Sequence, residues 1–92
     1  MVLSYRFLSL DTEAASAFLL GYPLPLSPTE FAILSAIIEN MPISAKEISE
    51  ALKISRKSVA VHVCNINKKA LDISARYLII SQSYSYTLNG CM

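Results

Sequence analysis

Residues 53–92 carry six basic side chains, Lys53, Arg56, Lys57, Lys68, Lys69 and Arg76, against one acid, Asp72. The first 52 residues reverse this, with Arg6 and Lys46 against Asp11, Glu13, Glu30, Glu39, Glu47 and Glu50. The two parts therefore sum to +5 and −4, although the whole chain is only +1. Such asymmetry points to a surface that meets an anion, with chance clustering on a mildly polar protein as the alternative. Interspersed with the bases are Ser58, His62, Cys64 and Asn65, which can donate or accept hydrogen bonds. Nothing resembles catalytic machinery. There is no paired-carboxylate, Ser/His/Asp or glycine-rich phosphate-loop arrangement, and no carboxylate or nucleophile is placed beside His62. An enzyme is not expected, and no catalytic residue is assigned. The single histidine and the lack of a Cys-x-x-Cys pair argue against a metal site, and no cofactor is expected.

These residues need a scaffold, and the composition allows one. Ninety-two residues suit one domain with one core. Hydrophobic residues make up 53% and charged ones 16%, which excludes a disordered chain. No run of about 18 apolar residues exists, so no membrane partner is expected. Arg6, Asp11 and Glu13 interrupt the apolar start, so it does not read as a signal peptide. Two cysteines, Cys64 and the penultimate Cys91, make no disulfide framework and fit a reducing cytoplasm.

Tyr5 to Leu10 alternates and reads as a strand. Ala17 to Leu20 is a second apolar run closed by Gly21, with Asp11–Ser16 as a hairpin connection; a helix over Thr12–Leu20 is the other reading. Pro23 and Pro25 then break the chain. Ser27-Pro28-Thr29-Glu30 opens a helix through a capping box with proline at its first position. Phe31, Leu34, Ile37 and Ile38 follow at helical spacing, and Asn40 and Pro42 close it. Ser44-Ala45-Lys46-Glu47 is a second capping box, whose helix is expected to bury Ile48, Ala51 and Leu52. Lys53-Ile54 is a short turn and Ser55 an N-cap. The third helix, from about Arg56 to Leu71, buries Val59, Val63, Ile66 and Ala70. Tyr77–Ser81 and Tyr84–Leu88 read as a terminal hairpin. Two helices joined by so few residues have the spacing of a helix-turn-helix, and a hairpin directly after them is the layout of a winged helix.

With those residues in place, the chain resembles the DNA-binding domain of OmpR/PhoB-type response regulators. Leu26-Ser27-Pro28-Thr29-Glu30-Phe31 followed by Leu34 is close to that family's Leu-Thr-Pro-x-Glu-Phe opening. Val59-Ala60-Val61-His62-Val63 is similar to its Val-Asp-Val-His-Ile. Asn65-Ile66-Asn67-Lys68-Lys69 stands where the family has Asn/Arg-Leu-Arg-Lys-Lys. Tyr86 and Leu88 fall on its Gly-Tyr-x-Leu ending. The resemblance implies an α+β winged helix-turn-helix over residues 1–92, with N-terminal strands in 1–26, three helices in 27–74 and a wing hairpin in 75–92. It also implies a bacterial transcription regulator of the two-component type. There are departures. The loop between the second and third helices is short and the chain has no Trp, so RNA polymerase contact by that loop is not expected. The wing's arginine and two glycines are replaced by Gln82, Ser83 and Ser85. Basic residues common at Cys64 and Asn67 are missing, and the family's receiver domain has no counterpart here.

The reading that results is a double-stranded DNA-binding domain. The third helix would lie in the major groove with its N-terminal half at the base edges. Arg56, Lys57 and Ser58 would start it against phosphate or bases, in mild conflict with the helix dipole. Val61 could pack on a thymine methyl and Asn65 could read adenine. Lys68 and Lys69 would bind phosphate, which gives register and not sequence preference. His62 is expected as a half-buried packing residue or phosphate donor, and Cys64 as a small surface residue. Gln82, Ser83 and Tyr84 form the wing tip on the DNA backbone, whereas Tyr77, Tyr84 and Tyr86 are expected to pack. A homodimer on a repeated site would raise affinity. The alternative is a degenerate winged helix kept for protein interaction or dimerisation.

Overall fold

The structure is a computed structural model, described here for residues 2–89; Cys91 lies outside the described residues. Four antiparallel strands come first: β1 (Val2–Tyr5), β2 (Leu8–Asp11), β3 (Ser16–Leu19) and β4 (Tyr22–Pro23), paired in that order. The single strand expected over Tyr5–Leu10 is thus two strands around a turn. Arg6 takes a positive φ of 52°, and Tyr5 pairs directly with Leu8. The turn reverses the alternation, since the directly paired Tyr5 and Leu8 share a face although they stand three positions apart, and neither Arg6 nor Phe7 is a residue type that marks a turn. The helical reading of Thr12–Leu20 is excluded, since Asp11–Ser16 connects β2 to β3. Asp11 Oδ1 accepts from the backbone N–H of Glu13 and Ala14, shaping that connection.

Three helices follow: α1 (Pro28–Asn40), α2 (Ala45–Leu52) and α3 (Arg56–Ser74). Both capping boxes form as the sequence predicts. Ser27 Oγ accepts from Glu30 N–H while Glu30 Oε1 accepts from Ser27 N–H, and Ser44 and Glu47 repeat the exchange. Helix α1 stops at Asn40 because Pro42 holds Met41 in extended backbone. Helix α2 stops at Lys53, which adopts the left-handed conformation and returns its N–H to the carbonyl of Ser49. Helix α3 runs to Ser74, beyond the expected Leu71, and ends on left-handed Ala75. The extra turn carries no sequence stop signal until that point.

A short strand between α1 and α2, β5 (Ile43–Ser44), joins β6 (Ile79–Gln82) and β7 (Ser85–Leu88) in a second sheet of order β5-β7-β6. Strand β6 begins at Ile79 and not at Tyr77, and β7 begins after Tyr84 because Ser83 and Tyr84 themselves form a two-residue turn with φ of 52° and 64°.

The core draws on both sheets and all three helices. Leu8, Leu10 and Leu19 from the first sheet meet Ile33, Leu34 and Ile37 of α1, Ile48 of α2, and Val59, Val63, Ile66 and Ala70 of α3. The expected α3 stripe is buried throughout. In α2 only Ile48 is buried; Leu52 is half-buried and Ala51 exposed, because an eight-residue helix presents too few turns to seat a second full layer. Tyr77 and Tyr84 are exposed and not packed, as each precedes the strand in which it was placed; Tyr86 is half-buried.

Candidate nucleic-acid interface

The turn Lys53–Ser55 brings α2 and α3 together. Ile54 N–H reaches the Ser49 carbonyl at 3.1 Å, and Ser55 Oγ accepts from Ser58 N–H at 3.0 Å. Two satisfied helix ends within three residues fix how α3 leaves α2. Because Val59, Val63, Ile66 and Ala70 are drawn inward, a 3.6-residue period sends Lys57, Val61, Cys64 and Lys68 along one outward stripe. All four are exposed, with Val61 at 50%. Arg56 and Ala60 flank them, also exposed. Asn65 is half-exposed and its side-chain amide makes no hydrogen bond within the described residues, so that amide is available to a partner. Ser58 is half-buried, its hydroxyl accepting from Ser55 Oγ.

Two expected residues, His62 and Lys69, are half-buried and lie off the exposed stripe. The Nδ1 of His62 is buried with no hydrogen-bond partner among the described residues. Lys69 directs its ammonium onto Glu30 Oε1. Burial pushes the Glu30 carboxyl up, but the Lys69 hydrogen bond, the Ser27 N–H and the Lys69 charge outweigh it and hold its pKa below the ordinary 4.5.

The wing tip, Gln82, Ser83 and Tyr84, is exposed, Tyr84 at 95%. Between it and the helices lies an open cleft of about 390 Å3 lined by Ser44, Ala45, Lys46, Arg56, Ser81, Tyr84 and Tyr86. Arg56 is therefore shared between the α3 face and this cleft. Sequence reasoning missed Lys46, although its signal was the same as for Arg56 and Lys57: a base in the first turn of a helix, against the dipole. It also missed Asn67. The Asn67 Oδ1 accepts from Ile79 N–H at 2.8 Å, and its Nδ2 donates to the Ile79 carbonyl at 3.0 Å. No sequence signal announces that pairing, because it spans twelve residues. Among the described residues, no group of three or more His, Cys, Asp or Glu could hold a metal ion, and no helix is long and apolar enough to cross a membrane.

The model of the family "Bacterial regulatory proteins, luxR family" matches residues 24–79, which contain all three helices. No curated protein matches the chain in sequence. Among solved structures, the DNA-binding domain of the response regulator AdeR, in complex with an intercistronic region, superposes with a TM-score of 0.77 at 22% identity, covering 95% of this chain and 97% of that one. The DNA-binding domain of Klebsiella pneumoniae RstA, in complex with the RstA box, gives 0.77 at 21% identity, covering 97% of both. The C-terminal domain of the lantibiotic response regulator NsrR gives 0.78 at 22%, covering 98% of both. At such identities the likeness is one of fold, and the fold is that of OmpR/PhoB-type response-regulator DNA-binding domains.

Proposed function

Because the chain belongs to the luxR family of bacterial regulatory proteins, we propose that it binds double-stranded DNA through α3 and the wing to regulate transcription. The observation that carries this reading is the exposed stripe Lys57–Val61–Cys64–Lys68 beside the available Asn65, with Arg56 and the wing tip on the same side of the fold. Lys57, Lys68, Arg56 and Lys46 supply phosphate contacts. Val61 offers apolar contact to a thymine methyl and Asn65 a donor–acceptor pair to adenine, with Cys64 between them in the groove. Ser58 and His62 sit at the edge of this face, and Gln82 and Ser83 donate to the DNA backbone without the charge that strengthens such bonds. Lys69 belongs to the fold through Glu30. Two copies on a repeated site would add affinity, and the three-residue turn between α2 and α3 leaves no loop for RNA polymerase. Such a domain works in the cytoplasm.

The test is fluorescence anisotropy of a labelled random-sequence duplex, titrated from low to physiological salt. Binding that weakens with salt, and that Lys57→Glu and Lys68→Glu each reduce about tenfold or more, is the expected outcome. Absence of binding at low salt would overturn it. Exposed Val61 then becomes the lead for the second reading, an interaction surface for another protein.

A further inference from the structure

Strand β6 is one of the two edges of the sheet β5-β7-β6. An edge strand leaves backbone donors and acceptors unpaired on its free side. At Ile79 they are taken up by a side chain: Asn67 on α3 gives Oδ1 to the N–H and Nδ2 to the carbonyl, at 2.8 and 3.0 Å. One amide thus reproduces the donor–acceptor pair that a neighbouring strand would supply. Both partners are anchored, since Asn67 is half-buried beside Ile66 and Ile79 is buried in the core. From Ile79 the strand runs to Gln82 and the Ser83–Tyr84 turn, a lever of about 13 Å at the usual rise per residue. A small change at the clamp is therefore enlarged at the tip.

We propose that Asn67 is a positioning residue for DNA binding: it sets the wing against α3, so that the wing tip and the exposed stripe of α3 engage one duplex together. The proposal rests on the DNA-binding reading above. Asn67 need not touch DNA to act, and it stands where the resembling family commonly has a base.

A double-mutant cycle on the full chain separates this from a merely structural role. Tyr84→Ala and Lys57→Ala are each measured in wild-type and Asn67→Ala backgrounds, by anisotropy on a random-sequence duplex at low salt. In wild type, Tyr84→Ala weakens binding about fivefold; in Asn67→Ala its effect falls below about twofold, while the Lys57→Ala effect is the same in both. A Tyr84→Ala cost equal in the two backgrounds, or no cost in wild type, overturns the proposal. If Asn67→Ala does not fold, Asn67→Asp replaces it, keeping the acceptor for Ile79 N–H and losing the donor. Amide exchange at Ile79 reports the clamp without DNA: protection in wild type and loss in Asn67→Ala is expected, and equal exchange overturns the clamp. Wild-type failure to bind any duplex overturns the DNA reading, and with it this proposal, even where Ile79 is protected.

Discussion

At Glu30 a single carboxylate oxygen serves two masters, the N–H that caps α1 and the ammonium of Lys69 thirty-nine positions away. Its pKa is lowered by those partners against the opposing push of burial. The contribution is therefore complete above the ordinary value of 4.5 and is lost as pH falls through the lowered one. Denaturant melts between pH 6 and 3 should show wild-type stability dropping across the acid end, with Glu30→Gln flattening that slope; identical slopes would remove Glu30 from the account. Lys69→Met leaves the carboxylate with Ser27 as its remaining partner among the described residues. Removing one partner of a fully buried pair costs about 3–5 kcal/mol, and because the Lys69 side chain is 35% exposed we expect about 1–3. DNA affinity at matched fold should change less in Lys69→Met than in Lys68→Ala, since one lysine faces Glu30 and the other the outward stripe.

Among the elements, α3 had the most legible pattern. Its buried stripe, its N-cap and its outward residues all follow from a 3.6-residue period, and the capping boxes of α1 and α2 were equally plain in the sequence. The strands were not. Short strands around two-residue turns carry little periodicity, and although Gly21 marks the turn between β3 and β4, the other two use Arg6, Ser83 and Tyr84 at positive φ in place of the usual glycine or asparagine. Sequence signals fail where the residue types are the wrong ones for the conformation. The same mismatch closes α3, where Ala75 sits at φ 60° and ψ 20°. An L-residue without a polar side chain is strained there by about 1–2 kcal/mol, part of which glycine gives back in entropy. Ala75→Gly, exposed and away from the outward stripe, should stabilise the protein by about 0.5–1 kcal/mol and raise Tm by about 2–8 °C. A melt that moves downward would contradict the argument.

On the scale of the whole molecule, the principal extents are 31 × 27 × 19 Å. The long dimension matches about nine base pairs at 3.4 Å per pair along each strand. If Lys46, Arg56, Lys57 and Lys68 each neutralise one phosphate, as proposed, log affinity should fall with log salt at a slope of about −3.6. A slope near −1 would mean that the basic side chains do not meet the duplex.

The sequence by itself determined the helices, their caps, the helix-turn-helix spacing, the buried face of α3 and, by elimination, its outward face. All of these depend on neighbours within a few residues, where helical geometry is fixed by local periodicity. Tertiary structure decided the rest. It split Tyr5–Leu10 into two strands, joined Ile43–Ser44 to the wing, gathered Lys46 with Tyr84 in one cleft, drew Lys69 to Glu30 and fastened Asn67 to Ile79. Each of those depends on which distant backbone or charge arrives alongside, and a one-dimensional pattern does not encode that arrival.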